Sequence, residues 1–465
     1  MPSTRSEPMS DTPHALNADT HPRVQLSAVR SALQAGHSNV LEVLVRVQGP
    51  EVAATAVGAP PAHALARALA IALDASGSME GRPLAEAKRC AEWLVGRLRP
   101  HDRLAVVCFE QSAQLIWPAV EVGNGRAVVQ AIRSIETGGA TALHDGWHEA
   151  ATALQGCDVP GLRRVILLSD GEANQGECDP GVIAQHCARW AAQGVSTSTY
   201  GLGESFNEEL MVAMAREGRG SQYYGHTADD LMLPFEQELQ LIDARCMGDV
   251  RLSYRVPQGV QVAVLNDLPR HDGVLRLPDV AHGAEAWALL RLTVPAELLP
   301  AVGQGLSVLQ VTVSGRGAAG DTVLLAPAPL VLPVKAAADW AQCPPDELVQ
   351  RRLTEVAAAQ ALERMREAAN RGDAAAVQEL LRAARAEFGH SDWVQAILAS
   401  MQQLADREGD VRALSKEMKY SAATLMTRVR ASDEQMCLSG GLAEEAVPKF
   451  LRRSGLQGRQ GQQVA

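Results

Sequence analysis

The sequence predicts an α/β protein with a doubly wound central domain, a β-sandwich beside it and a helical region at the C-terminal end. Three observations lead there. Between Leu65 and Arg245 short apolar runs alternate with amphipathic helix patterns, which implies a largely parallel sheet with helices on both faces. From Asp249 to Val334 the pattern is strand-only, broken by Gly, Pro and Asp turns. From Pro345 onward the chain is rich in Ala, Arg, Glu and Leu, with apolar residues at helical spacing.

Taken in order, residues 1–22 read as a disordered polar leader. The leader lacks an apolar h-region and so does not read as a signal peptide, and Met9 offers a second start. Residues 23–62 hold two strands, Arg23 to Val29 and Val40 to Gln48, and a Pro/Ala/Gly-rich linker from Gly49 to Ala62. The α/β domain is expected over 63–247. Its strands are Ala68 to Leu73, Arg103 to Phe109, Val165 to Leu168 and Val195 to Tyr200. Its helices are one with a face marked by Leu84, Ala87, Ala91, Leu94, Val95 and Leu98, then Arg126 to Ile135, Leu143 to Leu154, Pro180 to Ala192, Asn207 to Glu217 and Asp229 to Arg245.

The sandwich, 248–336, draws on Asp249 to Val256, Val260 to Leu265, Gly273 to Leu277, Ala286 to Val294, Leu306 to Ser314 and Thr322 to Val334. Two strands alone are marginal. The N-terminal pair is therefore expected to join this sandwich, which makes the α/β domain an insertion into a split β domain. Residues 337–432 are read as helical: Asp346 to Arg371, Asp373 to Glu387, Asp392 to Arg407 and Asp410 to Arg430, with Gly372-Asp373 and Gly389 to Asp392 as stop followed by N-cap. They form either a repeat-like interaction surface or a stalk on the β domain. Residues 433–465 are a polar tail.

Composition narrows the function classes. The 465 residues are 46% apolar, 21% charged and 4% aromatic, so the cores must be built from Ala, Val and Leu. A net charge of −11 argues against a general nucleic-acid binder, which needs clustered Lys and Arg. No run approaches the roughly 18 apolar residues of a membrane span. The eight cysteines include no C-x-x-C pair, and Cys90, Cys108 and Cys187 fall in apolar patterns as small buried hydrophobes. Free thiols suit a reducing compartment, and the cytoplasm is expected.

The chemistry lies at the carboxyl ends of the parallel strands, where doubly wound domains bind ligands. Asp74, Ser76 and Ser78 follow the first such strand; Asp170 ends another in Ser169-Asp170-Gly171-Glu172; Thr141 lies in the loop Thr137 to Leu143 just before a helix. Two carboxylates and three hydroxyls suit a hard cation such as Mg²⁺, which takes oxygen ligands and keeps waters. Mn²⁺ and Ca²⁺ suit the same loops. One coordination position is then left for an external carboxylate. Asp-x-Ser-x-Ser alone is a common loop sequence; Thr141 and Asp170 make it specific. Glu172 and Asn174 are placed on the rim, and Glu110 and Glu136 on the surface. His144, Asp145 and His148 read as structural, as do Trp93, Trp147 and Trp190.

Asp-x-Ser-x-Ser, a Gly-Gly-x-Thr-type loop and Ser/Thr-Asp-Gly together resemble the metal-ion-dependent adhesion site of von Willebrand factor A domains, a Rossmann-like fold. Asp102-Arg103-Leu104 and Tyr200 to Gly203 also look like this family. Residues from about 20 to Pro448-Lys449-Phe450-Leu451-Arg452-Arg453 are similar to its bacterial cytoplasmic members. The resemblance implies that Asp74, Ser76, Ser78, Thr141 and Asp170 hold a divalent metal, the serines and threonine directly or through water and the aspartates partly through water. It further implies a non-enzymatic adaptor that grips an Asp or Glu of a protein partner, without nucleic acid or membrane, beside an AAA+ ATPase or within a bacterial stress or conflict system. Such domains can couple ligand coordination to a shift of the last helix, here Asp229 to Arg245. The alternative is a metal-dependent phosphohydrolase. Against it, no Asp-x-Asp nucleophile loop or P-loop is present, and His144 is the one candidate base.

Overall fold

The computed structural model describes residues 21–50, 65–159, 161–170, 172–203, 206–318, 320–406, 411–427 and 430–431. The leader, most of the linker at 51–64 and the tail beyond 431 lie outside the described residues.

The chain begins with β1 (Arg23–Ala28), β2 (Leu33–Gln34) and β3 (Asn39–Gln48). The α/β domain then runs β4 (Ala68–Asp74), α1 (Arg82–Val95), β5 (Arg103–Phe109), β6 (Ala113–Glu121), α2 (Arg126–Arg133), α3 (Leu143–Gln155), β7 (Arg163–Ser169), α4 (Pro180–Ala192), β8 (Val195–Leu202), α5 (Glu208–Glu217), β9 (Arg219–Gly225) and α6 (Ala228–Asp243). Its six-stranded sheet has the order β6-β5-β4-β7-β8-β9, parallel except for the antiparallel pair β5–β6. This is a Rossmann-like, doubly wound arrangement. The edge strands β6 and β9 carry no clean apolar run, and the sequence pattern did not indicate them.

Every residue of β4 is buried, as expected of a central strand covered on both faces. Strand alternation divides its side chains between two cores. Leu69, Ile71 and Leu73 face the core that α1, α2 and α6 complete, while Ala68, Ala70 and Ala72 face α3, α4 and α5. The small alanines leave room there for Phe109 and the buried Trp147, whose Nε1 donates to Thr197 Oγ1 at 2.9 Å. Cys90, Cys108 and Cys187 are buried and free.

The chain returns through β10 (Arg245–Arg255), β11 (Gln261–Val264), β12 (Arg270–His271), β13 (Val274–Arg276), β14 (Val280–Ala281), β15 (Ala284–Val294), β16 (Gly305–Gly317), β17 (Thr322–Leu324) and β18 (Ala328–Lys335). One sheet runs β1-β3-β15-β11, and the other runs β12-β13-β10-β16-β18-β2 with β14 on β10 and β17 on β16. β3 and β15 pair over ten residues, from Glu285 opposite Gln48 to Val294 opposite Asn39. The apolar inner faces of the two sheets share one core.

Three boundaries differ from the sequence pattern. The last helix of the α/β domain stops at Asp243, because Arg245 already opens β10 and the Ala244 carbonyl accepts from His282 N–H (2.8 Å) in the sandwich. The helix of the α/β domain thus gives way to the first sandwich strand at Ala244. The run Thr322 to Val334 is two strands, separated by the segment containing Pro327, which has no N–H for a ladder. β17 pairs with the end of β16 and β18 with its beginning. The last expected helix ends at Thr427, and Arg430–Ala431 forms β19 against β15.

α7 (Ala337–Ala341) leads to α8 (Glu347–Asn370), α9 (Ala374–Glu387), α10 (Asp392–Ala405) and α11 (Val411–Thr427). Asp346 and Asp373 side chains cap α8 and α9. These four helices share their own apolar core and are tied to both other layers. Arg352 of α8, 1% exposed, donates to Glu285 of β15 (2.9 Å) and Glu355 (3.1 Å) and lies over the Trp287 ring. α11 reaches α5: Lys416 pairs with Glu208 (3.1 Å) and donates to the Phe206 carbonyl, Lys419 pairs with Glu209 (3.1 Å), and Tyr420 packs on Phe206 and Tyr224. Removing one member of a buried ion pair leaves an uncompensated charge. Arg352→Ala is expected to cost about 3 kcal/mol in urea unfolding; a loss within error of zero would show that Arg352 does not anchor α8.

Candidate metal centre

Three loops meet at the carboxyl edge of the sheet. The first follows β4: Asp74 is fully buried, Ser76 is 1% exposed, and Ser78 stands at the surface. Asp74 uses both carboxylate oxygens, accepting from Ser76 N–H at 2.9 Å and from the Ser169 hydroxyl at 2.5 Å. Ser169 ends β7, so Asp170 is delivered next to Asp74 by the parallel pairing of β4 with β7. The Ser78 hydroxyl donates to Asp170 Oδ1 at 2.8 Å, and the Ser76 and Ser78 oxygens lie 3.1 Å apart.

The third loop carries Thr141, which is 3% exposed. Two backbone bonds zip it to the first loop: Gly138 N–H donates to the Ala75 carbonyl (2.7 Å) and Gly77 N–H to the Gly139 carbonyl (2.9 Å). Asn174 then clamps Thr141 from the β7 side. Its side-chain oxygen accepts from Thr141 N–H at 2.8 Å, and its own N–H donates to the Thr141 carbonyl at 3.2 Å. All five residues singled out from the sequence thus lie on three loops joined by hydrogen bonds. The structure gives the Thr141 side chain no direct bond to the other four.

Two residues beyond these five also build this edge. Glu110, read as a surface residue, accepts from Gly139 N–H (2.9 Å) while its carbonyl accepts from Ala142 N–H (2.6 Å). A Cβ at Gly138 would lie 1.6 Å from Glu110 Oε2, so only glycine allows this approach. Ser169, which precedes Asp170 in the motif, is the direct partner of Asp74. Glu136 is exposed. His144 sits 2.9 Å from His186 and His148 accepts from Trp190, so the histidines are engaged with neighbouring helix residues.

The electrostatics of the edge are unbalanced. Among the described residues, no Lys, Arg or His forms an ion pair with Asp74 or Asp170. Burial pushes the Asp74 carboxyl above its ordinary range, against the hydrogen bonds from Ser169 and Ser76. Burial, with the charge of Asp74 adding to it, raises Asp170 to about 6, against the Ser78 hydrogen bond. Nor do three His, Cys, Asp or Glu side chains gather at metal-ligand spacing among the described residues. The donor set is two carboxylates and hydroxyls, all hard oxygens, which fits a cation that retains water. A divalent ion would reverse the sign of the local field.

Without a cation, folding favours the protonated form of Asp170. An unfolded aspartate ionises near 4 and the folded one near 6. Between these values the native state holds the proton that the unfolded state has released, so stability falls as pH rises through that window. In chelator, Asp170→Asn is expected to stabilise the protein by about 2 kcal/mol at pH 7.5 relative to pH 4. Urea unfolding of both proteins at the two pH values measures this; an equal difference at both would contradict the unbalanced site.

Residues 68–237 match the family model of the von Willebrand factor type A domain. Over 176 residues the chain is 30% identical to an uncharacterized protein of Synechocystis, sll0103, covering 37% of this chain and 40% of that one. It is 29% identical over 188 residues to the uncharacterized Escherichia coli protein YfbK, covering 39% and 32%. The matches thus span well under half the length of these relatives. A solved von Willebrand factor type A protein from Catenulispora acidiphila, 16% identical, superposes with a TM-score of 0.67 over 89% of this chain and 99% of its own. That likeness in fold reaches beyond the α/β domain into the sandwich and helices. With its sheet order, its site loops and this match together, residues 68–237 of the chain are a von Willebrand factor type A domain.

Proposed function

We propose that this chain is a non-enzymatic protein-binding module. In this reading Asp74, Ser76, Ser78, Thr141 and Asp170 hold a divalent cation, Mg²⁺ by its abundance and its preference for oxygen, and the cation takes an Asp or Glu carboxylate from a protein partner. One observation carries the reading: two buried carboxylates share an all-oxygen edge with no cationic side chain paired to them among the described residues. A cation with an open position supplies the missing charge and converts the edge into a receptor for an external anion.

The surroundings support binding over hydrolysis. His144, the one candidate base, is engaged with His186 at 2.9 Å. The von Willebrand factor A resemblance adds an adaptor role in the bacterial cytoplasm, beside an AAA+ ATPase or in a stress or conflict system. Buried free thiols such as Cys90 and Cys187 suit that compartment. No helix among the described residues is long and apolar enough to cross a membrane.

Affinity isolation with the full chain from its native cell tests the reading, in Mg²⁺ and in EDTA, with wild type and Asp74→Ala. A partner retained only by wild type in Mg²⁺ is expected. Titration with Mg²⁺ alone should show at least about 10-fold weaker binding for Asp74→Ala. Tight partner binding that survives both EDTA and Asp74→Ala would rule out coordination as the grip.

A further inference from the structure

At the opposite edge of the sheet, where β7, β8 and β9 begin, the α/β domain meets the sandwich around an open cavity of about 570 Å³. That volume lies in the range of small-molecule sites. Arg163 and Arg219 line it from the α/β domain, and Arg245 and Arg316 from the sandwich; Asp158, Asp249 and Asp279 complete the charged lining.

The charges there do not cancel. Asp249 is shared by Arg219, Arg251 (2.6 Å) and Arg276 (3.2 Å). Asp279 faces Arg245 (3.6 Å) and Arg164 (3.9 Å), and Arg164 also pairs with Glu238. Arg163 donates to the carbonyls of Gln155 and Gln193. Neither Arg163 nor Arg316 has a carboxylate partner among the described residues. Four arginines therefore line the cavity against three aspartates, in a chain whose net charge is −11. Burial lowers the pKa of Arg219, against the charges of Asp249 and Asp279, and Arg251 and Arg316 add to the lowering.

The backbone is also unusual at this place. Arg219 and Asp249 adopt φ of +57° and +50°, a left-handed conformation that disfavours residues with a Cβ, and they pair with each other across the junction. Strain of this kind gathers where the surroundings demand a particular side-chain placement, ligand sites among them. A Cβ at Gly194 would lie 2.9 Å from Arg163 Nη2, and one at Gly248 2.4 Å from Arg245 Nη1. The two glycines keep room for guanidinium groups along the wall.

We propose that this junction cavity binds a small polyanion carrying phosphate groups, gripped by Arg163 and Arg219 on one side and Arg245 and Arg316 on the other. Guanidinium forks match phosphate oxygens two at a time and remain charged when partly desolvated. The ligand bridges the two domains, at the pole of the α/β domain opposite Asp74.

Calorimetric titration of the full chain with inorganic pyrophosphate tests this, in EDTA so that no metal at the Asp74 edge contributes. Saturable binding below millimolar is expected, with a matching rise in Tm. Arg316 is exposed, so Arg316→Ala should fold as wild type while weakening pyrophosphate at least 10-fold, and Arg316→Glu should weaken it further. Asp74→Ala should bind as wild type, which separates this site from the metal edge. No Tm rise beyond that of NaCl at equal ionic strength, equal binding of citrate and pyrophosphate, or unchanged affinity in both Arg316 variants would each overturn the proposal.

Discussion

The pairing of β3 with β15 is the constraint on which the architecture rests. Ten consecutive pairs join residues 39–48 to residues 285–294, and the whole α/β domain lies between them in sequence. A one-residue slip would turn Val43, Val45 and Val47 away from the sandwich core. The alternation of buried side chains therefore fixes the register and, with it, the anchor points of the inserted domain. The same strand presents Glu285, buried at the end of the ladder, to Arg352 of α8. Sandwich and helical region thus meet through one strand.

The carboxyl edge shows a second use of parallel pairing. β4 and β7 are adjacent and in register, so Asp74 and Asp170 leave the sheet side by side. Nothing in a hydrophobic sheet favours two buried carboxylates there. Their cost is offset in part by hydroxyl and backbone donors: Ser169 and Ser76 N–H on Asp74, and Ser78 on Asp170. Neutral donors lessen the penalty of burial without supplying opposite charge. The surrounding loops are held by the Glu110, Asn174 and Gly138 contacts, so the oxygens are fixed before any cation arrives. Preorganisation of this kind reduces the ordering cost of binding.

Much of this was legible in the sequence because it is written in local pattern. The fully apolar Ala68 to Leu73, the alternating helix faces and the loop of Asp74, Ser76 and Ser78 identify themselves within a few positions, and Thr141 and Asp170 by their own short motifs in order after it. What escaped depends on contacts between distant segments. Glu110 has no local signature, since its role follows from Gly138 and Gly139 lying against it. The edge strand β6 contains Pro118 and is largely open on its outer side, so it lacks the apolar run of its neighbours. The arginines of the junction are scattered from position 163 to 316 and gather only through the return of the chain into the sandwich.

The position of α6 constrains how the two poles of the domain can communicate. One residue, Ala244, separates its end from β10, so α6 leads directly into the sandwich. A slide of α6 along its axis would be the simplest transmission, but its side chains oppose it. Glu238 is 1% exposed and paired with the buried Arg164 of β7. Asp243 is held by Arg67 (2.9 Å) and Arg99 (2.7 Å), and Phe235 stacks on Tyr200 of β8 with ring centroids 4.0 Å apart. A one-turn slide of roughly 5.4 Å would break these contacts together, and a buried pair alone costs about 3–5 kcal/mol when one partner is lost. Coordination at the carboxyl edge can shift an equilibrium only by its differential affinity for the two states. Rotation of the α/β domain as a body about its junction leaves the α6 pairs intact. It must instead rearrange the contacts of Arg219, Asp249, Arg245 and Asp279, which already share partners among themselves, and those of α5 with α11, where Lys416 pairs with Glu208 and Lys419 with Glu209. On these grounds the arginine-lined junction and the α5–α11 contacts, and not the last helix alone, are where motion of the domain would be registered.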